Sequence, residues 1–208
     1  MLNMILIRHG KTYGNTLKRY IGGRTDESLC QEGIRLLQEK SYPKASFVYV
    51  SPMKRCRETA ALLYPGIPTE VCEKLRECDF GIFENKNYEE LNGNPAYQAW
   101  IDSNGTLPFP EGESQEGFQK RCGEGFAACV EDALRHQRTQ AAMVVHGGTI
   151  MSILSRYALP KGRYFQWQIE NGEYYQLTID PSVWEREERI SLVEKGLWRN
   201  VKMDSTGP

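Results

Sequence analysis

The chain has 208 residues, with 26 Lys and Arg against 27 Asp and Glu, a formal charge of −1 with its three histidines neutral. A chain of this size buries roughly 70% of the surface it exposes unfolded, enough for one core, so a single domain over 1–208 is expected. A hydrophobic share of 40%, a charged share of 25% and 11% aromatics exclude an extended disordered chain, and the near-zero charge excludes binding of nucleic acid or anionic lipid through overall electrostatics.

Met4-Ile5-Leu6-Ile7 is a short apolar run of the kind that forms a buried strand. Gly10, Gly14, Gly22 and Gly23 then mark residues 9–25 as a long loop. Residues 33–40 have helical spacing, and Phe47-Val48-Tyr49-Val50 predicts a second buried strand. Ser51 and Pro52 are expected to supply the N-cap and first position of a helix running to about Tyr64, where Pro65 and Gly66 stop it. The stretch from Leu75 to Glu113 scatters six aromatics among Gly, Asn and Pro, which predicts an irregular insertion with short helices, cap-like over about 78–113. Ser114 caps a long helix to about His136, Ala142-Met143-Val144-Val145 is a third buried strand, and residues 149–157 are helical. Glu173 to Ile179 alternates as a strand, and a charged tail of ambiguous structure follows over about 181–208. Strands alternating with helices predict an α/β fold: a three-layer sandwich with a mostly parallel sheet and helices on both faces.

The apolar N-terminus is only seven residues long and runs into Arg8 and His9, too short for a signal peptide or membrane span. The six cysteines form no Cys-x-x-Cys pair, so reduced thiols are expected rather than a disulfide framework or zinc site, and the location expected is cytoplasmic.

Two predicted strands end alike: Ile7 gives way to Arg8-His9-Gly10, and Val145 to His146-Gly147-Gly148. Ligands of parallel sheets bind at the carboxyl ends of strands, so both histidines stand where chemistry usually sits. The strand ending at Val50 leads toward Arg55 in the first turn of its helix. Two arginines, two histidines and a helix N-terminus converging on one crevice describe an anion site, most naturally for phosphate. Taken singly, each has a structural alternative: a hydrogen-bonded histidine, an arginine paired with a carboxylate, a tight Gly-Gly turn. The conjunction carries the reading.

The motifs then resemble one family in register. Arg8-His9-Gly10 with Thr12 and Asn15, Thr25-Asp26-Glu27-Ser28-Leu29, Ser51 through Arg55 with Thr59-Ala60, Leu75-Arg76-Glu77 with Phe80-Gly81, Gly112-Glu113-Ser114, and His146-Gly147-Gly148 resemble the ordered blocks of the histidine phosphatase superfamily, the phosphoglycerate mutase-like clan, over roughly residues 4–180. The resemblance implies a phosphoglycerate mutase-like fold and hydrolysis of a phosphomonoester through a phosphohistidine. His9 is then the nucleophile and Glu77 the acid, with Glu84 in reserve. Arg8, Thr12, Asn15, Arg55, His146 and Gly147 bind the phosphate. No cofactor and no metal are expected.

Neutral His9 is needed for attack, and nearby Arg8 and Arg55 would lower its pKa. Glu77 needs a raised pKa, which apolar neighbours such as Phe80 could supply; its structural alternative is a surface carboxylate paired with Arg76. Lys11, where Glu or Gln is common in the family, predicts a more basic pocket mouth. Arg57 is expected on another helix face from Arg55, and His136 in solvent. The aromatics of the insertion fit a leaving group with an apolar or ring portion, or equally a satellite core. Alternatives are phosphoglycerate mutase-type transfer, α-ribazole phosphate hydrolysis, and a non-catalytic phosphate-binding module. The partner expected is a small phosphorylated metabolite, with no nucleic acid or membrane, and a homodimer is the oligomer to test.

Overall fold

β1 (Leu2–Arg8) sends Leu2, Met4 and Leu6 to one apolar core and Ile5 and Ile7 to another, the period-two division of a strand covered on both faces. In the computed structural model, which describes residues 1–196, β1 pairs in parallel with β4 (Gln140–Val145) and antiparallel with β5 (Tyr174–Ile179). β4 also pairs with β2 (Val48–Val50), and β2 with β3 (Thr69–Val71), both in parallel; β6 (Leu192–Lys195) adds antiparallel to β5. The sheet order among the described residues is therefore β3-β2-β4-β1-β5-β6.

Helices cover both faces, as expected. On one side α6 (Gln115–Arg135) and α7 (Gly147–Tyr157) place Phe126, Val130, Ile150 and Leu154 against Met4, Leu6, Met143 and Val145. Trp184 of α8 (Pro181–Glu187) completes that core. On the other side α3 (Lys54–Leu63) presents Cys56 and Ala60 to Ile5, Ile7, Val48, Val50 and Val144, and α2 (Gln31–Gln38) packs beside α3. Each fully buried aliphatic or aromatic side chain in these layers contributes about 1.5–3 kcal/mol, so the sheet ends are held rigidly by cores above and below.

Several boundaries depart from the sequence reading. Ser51 and Pro52 do not open α3: the helix begins at Lys54 with Met53 at its N-cap and no side-chain cap bond, because the Ser51 hydroxyl is engaged with His146. The 9–25 loop contains a helical turn, α1 (Tyr13–Thr16), closed by a reciprocal Thr12–Asn15 capping box. α7 opens at Gly147. Ser114 caps α6 as expected, accepting from the Gly117 amide. The insertion holds α4 (Tyr88–Leu91) and α5 (Pro95–Asp102) with a 3-10 turn over Gly81–Phe83. The charged tail forms α8 and β6; its remainder, 197–208, lies outside the described residues. All six cysteines are free thiols.

Candidate active site

The register of β1 against β4 sets Arg8 beside Val145, so the two strands release His9 and His146 side by side. Their rings meet edge to face with centroids 5.2 Å apart. α3 follows β2 on the far side of β4 and delivers Arg55, fully buried, to the same point. Three loops at one end of the sheet thus bring together the residues that the motifs singled out.

His9 is 4% exposed and its tautomer follows from its partners. Nδ1 lies 2.7 Å from the Gly10 carbonyl, which can only accept, so Nδ1 carries the proton. Nε2 is left with its lone pair, and the Arg55 Nε–H donates to it at 3.3 Å. The His9 pKa lies well below the usual histidine range, first because of burial and then because of the Arg55 and Arg8 charges. The sequence reading named the charges; burial is the larger cause.

Arg55 is not free to spread its guanidinium over a ligand. Beyond His9 it donates from Nη1 to the Thr25 carbonyl at 2.8 Å and from Nη2 to the Ile21 and Gly22 carbonyls at 3.4 and 3.2 Å. Of five N–H groups, a single Nη1 hydrogen is left. Arg8 is the more available donor: Nη1 donates to the Ile169 carbonyl at 2.6 Å, while its buried Nε has no partner.

His146 is completely buried and is held below the usual histidine pKa chiefly by burial, then by Arg55. Its Nε2 lies 2.7 Å from the Ser51 hydroxyl. The Cys56 thiol, pushed up to about 12 by burial and so protonated, also touches the ring, 3.5 Å from Nε2. Ser51 orients this histidine, a function the sequence reading missed by assigning it to a helix cap.

Glu77 is 7% exposed, which removes the surface-carboxylate alternative; Arg76 pairs with Glu73 instead. Burial raises its pKa, opposed by the Cys78 amide, which donates to Oε1 at 2.9 Å, and by the Arg55 and Arg8 charges. Gly148 makes this placement sterically feasible, because a Cβ there would stand 2.7 Å from Glu77 Oε1. Gly147 lies beside Arg8, where a Cβ would make ordinary van der Waals contact at 3.4 Å from Nε. Beyond Glu77 and Gly148 opens an apolar cavity of about 340 Å³ that His9 does not line.

Thr12 and Asn15 cap α1, and each keeps one unused donor, the Thr12 O–H and the Asn15 Nδ2 group. Asn171, unsuspected from sequence, ties them to the His9 loop: its Nδ2 donates to the His9 carbonyl at 3.0 Å and to Asn15 Oδ1 at 3.3 Å. Lys11 does not make the mouth basic, since it pairs with Glu32 at 2.8 Å. The reserve acid Glu84 is engaged elsewhere, accepting from Thr25 Oγ1 at 2.6 Å and from the Gly22 and Arg24 amides at 3.1 Å. Arg57 is exposed, away from Arg55, and His136 sits at the exposed end of α6 beside Asp132. Among the described residues no group of three or more His, Cys, Asp or Glu could hold a metal ion, and no helix is long and apolar enough to cross a membrane.

The sequence pattern of the histidine phosphatase superfamily (branch 1) matches residues 4–189. The chain belongs to the histidine phosphatase superfamily. A Hydrogenobacter thermophilus relative with the provisional name phosphoserine phosphatase 2 is 30% identical over 162 residues, 74% of this chain and 77% of that protein. A Yersinia pestis relative named as a probable phosphoglycerate mutase is 27% identical over 195 residues, 88% of each chain. Among solved structures, an Escherichia coli protein provisionally named α-ribazole-5′-phosphate phosphatase superposes with a TM-score of 0.77 at 20% identity, covering 95% of both chains. The fold is thus that of the phosphoglycerate mutase-like histidine phosphatases, and the chain is an enzyme of this phosphatase family. The three names carry three different substrates.

Proposed function

We propose that this histidine phosphatase hydrolyses a small phosphomonoester through a phosphohistidine on His9 Nε2. The observation that carries the reading is the Nδ1–Gly10 contact, which supports a neutral ring whose lone pair stands on Nε2 against the Arg55 guanidinium, within the field of Arg8. Nε2 attacks phosphorus as the bond from phosphorus to the leaving oxygen breaks, and Glu77, protonated in its buried position, gives that oxygen a proton. The resulting carboxylate then takes a proton from water as its oxygen attacks the phosphohistidine, releasing phosphate and restoring both residues.

The remaining residues supply positioning and charge, which is most of what phosphoryl transfer needs. Arg8, with most of its N–H groups unused, is the main donor to the phosphoryl oxygens, joined by the single free Arg55 hydrogen, Thr12, Asn15 and the Gly147 amide at the start of α7. A Ser51 O–H donating to His146 Nε2 leaves Nδ1–H of His146 as a further donor. Neutral His146 fits this better than a cation, because a third positive charge would disfavour the empty pocket.

Denaturing the enzyme rapidly in alkaline detergent during turnover of a 32P-labelled ester tests the proposal. Label that survives alkali, is lost in acid and disappears in His9→Ala supports it; label on a serine or aspartate rejects it. Interconversion of 2- and 3-phosphoglycerate exceeding phosphate release would favour mutase-type transfer instead.

A further inference from the structure

The cavity beyond Glu77 shares two walls with the reacting centre, Glu77 and Gly148, and so occupies the side toward which a leaving group must depart. Resting on the hydrolase reading above, we propose that it receives an uncharged, flat ring system as the alcohol portion of the substrate. Its volume of about 340 Å³ falls in the range of small-molecule sites. Its walls are mostly aromatic and aliphatic, among them Tyr20, Phe80, Trp100, Phe109 and Met151 of α7, with Asn104 and Gln115 as uncharged polar side chains.

These rings are locked against one another. Trp100 stacks on Tyr97 with an interplanar angle of 14° and lies 5.2 Å from Phe109, while Phe80 meets Phe109 and Tyr20 edge-on. The Tyr20 and Tyr97 hydroxyls, 3.1 Å apart, satisfy each other, so Tyr20 offers ring rather than hydroxyl. Trp100 Nε1 is itself buried, so Trp100 too offers ring rather than a donor. A rigid wall of this kind gains from a flat apolar partner at little ordering cost.

Charge decides against a leaving group that carries a carboxylate. No lysine or arginine lines the cavity, burial holds its Tyr20, Cys78 and Tyr164 in their neutral forms, and its one carboxyl is Glu77, whose deprotonated form would repel a second carboxylate. The arginines on the opposite side of Glu77 are already paired: Arg24 with Asp79, Arg76 with Glu73 and Arg121 with Glu113, at 2.7–3.0 Å. A phosphoserine- or phosphoglycerate-like alcohol would lose its hydration in the cavity without meeting a cation.

The test compares esters of alkyl alcohols only, so that leaving-group basicity does not imitate selectivity: 2-naphthylmethyl phosphate, ethyl phosphate, O-phosphoserine and 3-phosphoglycerate. The expected kcat/KM for the naphthylmethyl ester exceeds that for ethyl phosphate on the order of 100-fold, with both carboxylate esters no better than ethyl. Trp100→Ala should shrink the naphthylmethyl-to-ethyl ratio about tenfold or more. Met151→Lys should lower the naphthylmethyl rate while raising that for O-phosphoserine, a gain that misfolding cannot produce. Equal rates for the naphthylmethyl and ethyl esters, or a preference for either carboxylate ester, overturn the ring assignment and leave the hydrolase reading standing. Absence of phosphate release from all four, with no alkali-stable label on His9, overturns both.

Discussion

Keeping two histidines neutral in one buried site makes the fold lose stability on acidification, by an amount that linkage fixes. His9 and His146 both have pKa values depressed in the folded chain, by burial first and by Arg55 second. The unfolded chain therefore binds more protons as pH falls through about 6.5, so stability is complete above that range and is lost below it. Glu77 acts in the opposite sense, because burial raises its folded pKa and acid favours the fold through that group. Glu77→Gln removes this opposing titration while preserving the shape of the side chain. In that background each histidine costs about 1.3 kcal/mol between about pH 7 and about pH 5.5, so the pair costs about 2.5 kcal/mol. The window ends above the range where ordinary carboxylates titrate. Urea unfolding followed by tryptophan fluorescence at constant ionic strength measures the change, and His146→Asn in the same background should halve it. A stability that stays within about 0.5 kcal/mol across the window would mean that both imidazoles charge in the folded state, and the neutral-nucleophile argument would fail.

Activity should show the same electrostatics: the acid limb of kcat/KM falls below the ordinary histidine range, and the alkaline limb, set by the raised Glu77, disappears in Glu77→Gln together with about 10²–10⁴-fold of the rate on alkyl esters. An acid limb centred on the unperturbed histidine value would contradict the burial argument. Gly148→Ala places a methyl 2.7 Å from Glu77 Oε1 and 3.1 Å from Phe118, so the carboxyl must move; a loss on the order of 10²-fold in kcat with near-native urea stability is expected, and an unchanged kcat would detach Glu77 from the chemistry. Arg55→Ala strands the Ile21, Gly22 and Thr25 carbonyls at about 1–3 kcal/mol each, so urea unfolding should show a loss of about 3 kcal/mol or more. A loss below about 1 kcal/mol would mean that solvent replaces the guanidinium there.

The parts legible in the sequence are those whose signal is local. The runs at 4–7, 47–50 and 142–145 announce buried strands because both faces are covered, and the two histidines that end strands announce a site at one sheet edge. β3 and β6 left no such trace: Thr69–Val71 is exposed throughout and Leu192–Lys195 nearly so, and their pairing comes from neighbouring strands rather than their own composition. Within the site, the roles of Ser51 and Asn171 depend on bonds to residues 95 and 162 positions away, His146 and His9, which no window of sequence spans. Arg55 was legible as a neighbour of the site, but not as a residue whose donors are mostly taken by the 21–25 loop. Glu77 rested mainly on family resemblance, since its burial depends on α7, whose Gly148 lies against its carboxyl, and not on its own stretch of sequence.

That burial is also what unites the two halves of the proposed mechanism. Desolvation penalises whichever form of a group is charged, so one environment acts with opposite sign on an imidazole and a carboxyl. It lowers the pKa of His9 and raises that of Glu77, the directions that the proposed nucleophile and the proposed acid each require. The arginines reinforce the first effect and oppose the second, because Arg8 and Arg55 stabilise the Glu77 carboxylate. The balance at Glu77 is therefore set by its apolar side, the cavity wall shared with Phe80 and Phe118, against its cationic side. Filling that cavity with an apolar ring removes the remaining water from the acid, raises its pKa further and strengthens its hold on the proton until the leaving oxygen develops charge. On the proposed assignment, substrate recognition and acid catalysis would thereby be coupled through one carboxyl group, and a leaving group that brought water or charge into the cavity would weaken both.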